Sequence, residues 1–300
     1  MKKTVALILA LVLKTVPLLA EPDMTALQLI KALPINGPEN NQPSGLTIHN
    51  GELFSVSDKH DDTIYRISLG DSVATFVPHL KFKASIPDAL NRLDFEGITC
   101  DKQGNFYVAS ETGFRVLRVS AGGKKAEWIT ENLKSHGDRV GLFTKGGGYI
   151  EGIAREAGGR LILAAERQAR GILEVDPDTT PVEVHAFNLD KTHVPLKAPR
   201  EPSFTGLYLE HENLFALDRS TGAVYKLGYR GGKPDETDIW TYGDILNRED
   251  LKYESMRWGL GEGLCLDKNN VYVIIDNNGA ARASNPEDKR PMLLIMKRPK

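Results

Sequence analysis

The stretch FEGITCDKQGNFYVASETGFRVLRV, Phe95 to Val119, decides the fold. It opens on Glu96-Gly97 and alternates up to a turn at Asp101 to Gly104. A second apolar run, Phe106 to Ala109, ends just before Glu111, and a third runs from Arg115 to Val119. Period-two alternation broken by Gly and Asp turns predicts consecutive antiparallel strands. The same pattern is written four more times: PSGLTIHNGELFSVSDKHDDTIYRISL (Pro43–Leu69), YIEGIAREAGGRLILAAERQARGILEVD (Tyr149–Asp176), SFTGLYLEHENLFALDRSTGAVYKLG (Ser203–Gly228) and GEGLCLDKNNVYVIIDNNG (Gly261–Gly279). The anchoring glycines Gly45, Gly97, Gly152, Gly206 and Gly263 are spaced 52, 55, 54 and 57 residues apart. A period near fifty with several strands per unit is the signature of a propeller or array.

Each of the first four units supplies four strand candidates, a to d. Unit five has a at Leu264–Asp267, b at Val271–Asp276 and c at Met292–Lys297, and then the chain ends. An orphan strand at Ala26–Leu33 precedes unit one. The expectation is an all-β, five-bladed β-propeller over residues 21–300, its last blade closed by the N-terminal strand. Six blades is the alternative, because a structural repeat can escape sequence detection.

In that geometry the start of strand a and the end of strand b share one face near the axis. The paired positions are Ser44/Asp58, Glu96/Glu111, Glu151/Glu166, Thr205/Asp218 and Glu262/Asp276, so eight of the ten are carboxylates. The long connections, Lys81–Asp94, Lys134–Gly148, Asp190–Pro202, Asn247–Leu260 and Asn277–Pro291, belong to the same face. Long loops on a rigid scaffold are where function concentrates. They carry Arg257 and Trp258, while Arg167 and Arg219 directly follow two of the acids. Clustered carboxylates bind a cation, pair with Arg or take up protons. Glu96, Glu111, Glu151, Glu166, Glu262 and Asp276 are therefore the candidate metal ligands. An all-oxygen set suits Ca2+ ahead of Mg2+. Arg167, Arg219, Arg257, Trp258, Asp58 and Asp218 are the candidate substrate contacts, with an anionic small molecule as the ligand class. The competing reading is that the acids accept backbone hydrogen bonds from the next blade and only lock the ring.

The chain has 300 residues, 41% of them hydrophobic and 26% charged, enough material for a core. Lys2-Lys3, the apolar run Thr4–Leu13 and Leu18-Leu19-Ala20 make a cleavable signal peptide over residues 1–20, which implies a periplasmic or secreted protein. That apolar run is too short to span a bilayer, so no membrane span is expected in the mature chain. Cleavage moves the formal charge from -2 to -5, which gives no reason to expect nucleic-acid binding. A monomer is expected. The two cysteines, Cys100 and Cys265, fall on non-adjacent blades with opposite strand parity, so two free, buried thiols are expected rather than a bridge. GxSxG, HExxH, P-loop and GxGxxG patterns are all missing from the sequence.

With these repeats in hand, the chain resembles exported bacterial propellers of the phytase-like family ("esterase-like activity of phytase") and the related SdiA-regulated family. The likeness rests on the five repeat motifs and covers nearly the whole mature chain. It implies a divalent-metal-dependent hydrolase of phosphate or other esters. EGITCDKQGNFYVAS is also similar to the first blade of calcium-dependent lactonases of the gluconolactonase type, where the Glu before Gly ligates the metal. By that likeness Glu96, Glu151 or Glu262 is the metal Glu. Against the enzyme stands a non-catalytic envelope propeller that binds a small ligand, glycan or protein with the same pocket. The residues leave turnover open between the two.

Overall fold

The computed structural model describes residues 21–87, 90, 92–196, 199–255 and 260–300. The expected signal peptide, Arg257 and Trp258 lie outside these residues.

Two strands precede the first repeat, β1 (Asp23–Ala26) and β2 (Gln28–Asn36). Unit one is β3 (Pro43–His49), β4 (Glu52–Ser57), β5 (Thr63–Leu69) and β6 (Ala74–Lys81). Unit two is β7 (Phe95–Cys100), β8 (Phe106–Ser110), β9 (Arg115–Val119) and β10 (Ala126–Trp128), followed by a short helix α1 (Lys134–Asp138). Unit three is β11 (Ile150–Arg155), β12 (Leu161–Ala165), β13 (Gly171–Asp176) and β14 (Glu183–Asn188). Unit four is β15 (Phe204–Glu210), β16 (Asn213–Asp218), β17 (Ala223–Arg230) and β18 (Lys233–Thr241), followed by α2 (Gly243–Leu246). Unit five is β19 (Gly261–Leu266), β20 (Asn270–Ile275) and β21 (Met292–Lys297). All neighbours within a unit are antiparallel, as tight a–b and b–c pairing requires.

The orphan N-terminal strand does what the repeat count demanded. β2 pairs antiparallel with β21, from Gln28 opposite Lys297 to Pro34 opposite Met292, and so gives unit five its fourth strand. The tail of β2 also touches β6 in parallel at Ile35–Ala74 and Asn36–Thr75. That two-residue contact fuses units five and one into an eight-stranded sheet, so the described residues form four sheets, and the sheet count alone does not give a blade number. β1 was not expected as a separate strand; it adds in parallel to the outer edge of β18.

The core lies between units rather than within them. Phe54, Val56 and Ile64 of unit one meet Phe95, Ile98 and Phe106 of unit two in one buried cluster. Further clusters join units two and three, three and four, and four and five. A last one packs Leu46, Leu53 and Tyr65 of unit one on Cys265, Ile274 and Leu293 of unit five. The repeat glycines explain how closely the innermost strands approach. A Cβ on Gly45 would lie 2.6 Å from the Ile98 nitrogen, on Gly97 2.6 Å from the Glu151 oxygen and on Gly152 2.9 Å from the Leu207 nitrogen. On Gly206 it would lie 3.1 Å from the Leu264 nitrogen, and on Gly263 2.5 Å from the Leu46 nitrogen. Each glycine thus abuts the next unit's backbone, and the fifth abuts the first.

Candidate functional site

The inner-strand acids owe their aim to a repeated irregularity. The β7–β8 register skips between Phe95 and Gly97, β11–β12 between Ile150 and Gly152, and β19–β20 between Gly261 and Gly263. The residue skipped is Glu96, Glu151 or Glu262. A bulge leaves one residue out of the ladder and re-aims its side chain. The b-strand acids are brought alongside by backbone bonds. The N–H of Glu111 donates to Asp94 O (2.9 Å), that of Glu166 to Tyr149 O (2.8 Å) and that of Asp276 to Leu260 O (2.9 Å).

Two groups of three carboxylates result, Asp58–Asp94–Glu96 and Glu111–Glu151–Glu166. In each, one oxygen per residue lies within 4.8 Å of the others. At that separation two charged carboxylates repel by roughly 3 kcal/mol for an effective dielectric near 20. Asp94 is the member that reading the repeats missed. It sits two residues before Glu96, where the other units have Gln42, Tyr149, Ser203 and Leu260. Its backbone is left-handed (φ 54°), a conformation Asp tolerates better than most residues. The carboxylate of Asp61 pins it by accepting from the N–H groups of Leu93 (2.7 Å) and Asp94 (3.1 Å). The signal available in the sequence was the DFE triplet, the one repeat start with two acids two apart.

The acids are buried and mutually repelling. Burial, then the charges of Asp58 and Glu111, push the Glu96 carboxyl well above the usual range. Burial and Glu96 do the same to Glu151. Burial and Asp94 raise Glu111 to about 7, and burial and Glu262 raise Asp276 to about 7. Asp94 is raised mainly by burial, against the opposing pull of Arg92, whose Nη2 lies 2.8 Å from it. Basic groups offset part of this charge. Arg219 donates to Glu262 at 2.7 Å and also to Glu166. Arg167 lies 3.0 Å from Glu166, and Lys59 pairs with Asp58. Eight carboxylates therefore face four bases among the described residues. The remaining mismatch shows in the hydrogen bonding. Asp58 Oδ1, Asp94 Oδ2, Glu166 Oε2 and Glu262 Oε2 are buried with no hydrogen-bond partner among the described residues. An orphaned buried carboxylate oxygen is costly unless a proton or cation meets it. Hard oxygen donors in groups of three fit Ca2+ or Mg2+, so the donor set suits the divalent cation that the sequence implied.

Three of the expected substrate contacts, Asp218, Arg219 and Asp58, have charged partners within the protein. Asp218 is fully buried. It accepts from Arg170 (2.8 Å) and from the N–H groups of Ser203 (2.9 Å) and Thr221 (3.0 Å). Arg170, itself 1% exposed, also binds Glu236 and the carbonyls of Leu189 and Lys191, and lies 4.2 Å from the Phe204 ring centre. This is a buried structural triad of one guanidinium and two carboxylates. Arg219 is likewise spent on the ring acids rather than held out for a ligand, with its side chain 11% exposed. Asp58, expected as a substrate contact, lies in a carboxylate group of three. Asp276 belongs to neither group but borders Glu262. The two cysteines are free; Cys265 is buried as expected, whereas Cys100 is half-buried.

Comparison with known proteins places this geometry. The glutaminyl cyclase of Myxococcus xanthus is 14% identical and superposes with a TM-score of 0.59 over 92% of this chain and 97% of its own, a likeness of fold. The PQQ-bound aldose sugar dehydrogenase of Streptomyces coelicolor (TM-score 0.49, 12% identity, 93% and 100% covered) and a gluconolactonase of Xanthomonas campestris (0.47, 12%, 93% and 89%) are more distant. No curated protein matches the sequence. The family described as "Phytase-like: Esterase-like activity of phytase" matches residues 42–279, which takes in all five repeat glycines and every acid of the ring. The chain, an all-β protein of propeller-like fold, belongs to the phytase-like family.

Proposed function

We propose that this protein is an exported, monomeric five-bladed propeller that binds a divalent cation, Ca2+ ahead of Mg2+, and hydrolyses phosphate or other esters of an anionic small molecule. The observation that carries the reading is the set of four buried carboxylate oxygens without partners. The five blades are supported by the glycine contacts, which run from unit to unit and return to the first. The parallel β2–β6 contact spans only two residue pairs and joins two otherwise complete four-stranded units.

A bound cation would supply charge stabilisation for the oxygen on which negative charge develops. Its ligands would come from the ring acids Glu96, Glu111, Glu151, Glu166 and Glu262, with Asp58 and Asp94. The chain's own proton-transfer group is Asp276. It lies outside both carboxylate groups of three, and burial beside Glu262 keeps its carboxyl near 7. A group poised there can take or give a proton at neutral pH. Arg167, at 32% side-chain exposure beside Glu166, is placed to meet an anionic substrate.

The test is metal analysis of the purified protein, with phosphate monoesters, carboxylic esters and lactones assayed with and without chelator. Bound cation and chelator-sensitive turnover support the hydrolase, and Asp276→Asn then lowers kcat while the metal stays. No cation and no chelator-sensitive turnover sinks it. A second reading, a binding propeller without turnover, is favoured by the engagement of Arg219 with two ring acids, which gives that side of the ring a cation of the protein's own. Bound cation with no turnover on any of the three substrate classes would select it.

A further inference from the structure

The five starts of the inner strands are not equivalent. Three carry Glu, and two carry a hydroxyl, Ser44 and Thr205. Thr205 falls between Glu151 and Glu262 in the order of the glycine contacts, and its hydroxyl is spent on Gly261 O (2.6 Å). In that same unit the residue after the b-strand acid is Arg219. Its guanidinium enters the ring where a carboxylate is missing, and its main chain is fixed by an N–H bond to Ser203 O (3.1 Å). It donates to both Glu262 and Glu166. Glu166 Oε1 is crowded further by Arg167 at 3.0 Å and the Ser203 hydroxyl at 3.2 Å.

The opposite side of the ring is built differently. At Asp58–Asp94–Glu96 the cations in reach among the described residues are Lys59 and Arg92, whose side chains are 37% and 52% exposed. A base that reaches out into solvent is held less firmly than one enclosed with its acids, and gives way more readily to a better cation. A guanidinium held by two acids and 11% exposed does not leave so easily. Among the described residues, one side of the ring therefore carries a fixed internal cation and the other carries displaceable ones.

We propose that Arg219 substitutes for a second divalent cation, so that the ring takes one ion per chain, at Asp58, Asp94 and Glu96. This rests on the cation reading above and specifies its stoichiometry and place. Arg219 is here a positioning residue for the acids and not a contact to substrate. Replacing it by an uncharged side chain of similar length frees Glu166, which lies with Glu111 and Glu151 in the second group of three, to take a second ion.

The experiment is a Ca2+ titration of the full chain by native mass spectrometry and calorimetry, with folding checked by circular dichroism. The parent should bind one Ca2+, Arg219→Met two and Arg219→Lys one. Asp94→Asn should lose the parent's ion, weakening it at least a hundredfold. One ion on both the parent and a folded Arg219→Met overturns the inference and leaves the cation reading standing. No ion on either overturns both. If Arg219→Met does not fold, the parent decides: two ions per parent chain, or an Asp94→Asn affinity within threefold of it, overturns the proposal.

Discussion

Replacing Glu111 by Gln should stabilise the ion-free protein at alkaline pH and do nothing at acid pH. Burial and the neighbouring Asp94 raise this carboxyl from the ordinary 4.5 to about 7 in the folded chain. At about 1.4 kcal/mol per pH unit, the displacement corresponds to about 3 kcal/mol. The folded state holds the proton more tightly than the unfolded chain does. The stabilisation is thus complete below pH 4.5, is lost as pH rises through 7, and is gone above it. Glu111→Gln removes the titration but keeps an oxygen that can accept from the Tyr149 N–H, a bond of 3.1 Å in the parent. In chelator at pH 8 the variant should be more stable than the parent by about 3 kcal/mol, the two converging near pH 4. Urea unfolding followed by circular dichroism at the two pH values measures this. A variant no more stable than the parent at pH 8, or a gap of equal size at both pH values, would refute the electrostatic account of the ring.

Ca2+ affinity should tighten as pH rises above the usual carboxylate range, because Glu96, whose carboxyl burial and the charge of Asp58 hold well above that range, must release its proton to take the ion; calorimetry in buffers of different ionisation enthalpy checks the released protons. Arg170→Met should destabilise by about 3–5 kcal/mol in urea unfolding, because it strands Asp218 and Glu236 as buried, unpaired charges. Gly97→Ala should lower the thermal midpoint more than Gly206→Ala, since the new methyl meets backbone at 2.6 Å in the first and 3.1 Å in the second; overpacking of this kind costs about 1–3 kcal/mol. Cys265 should react with a thiol reagent only on unfolding, while the half-buried Cys100 reacts slowly in the native protein, burial raising both thiols.

The strand order of this protein was legible in its sequence. Alternation, turn residues and the spacing of Gly45, Gly97, Gly152, Gly206 and Gly263 are local and periodic signals, and the strands they predict are the ones formed. The closing role of the N-terminal strand followed from the same count, because unit five lacked a fourth strand and β2 supplies it. The gathering of Glu96, Glu111, Glu151 and Glu166 was legible too, since a repeat position in a ring is also a place in space. What the sequence could not decide was the partner of each charge. Asp218 and Glu166 occupy the same repeat position, yet one is buried on Arg170 and the other shared by Arg167 and Arg219. Asp94 joins the ring only because Asp61, more than thirty residues earlier, fixes its backbone in the left-handed region. A strand is set by its own residues and their period. A charge is set by what approaches it from units some fifty residues away, by how much water is excluded there and by which cation arrives first. Those are properties of the closed ring, and they exist only once it has closed.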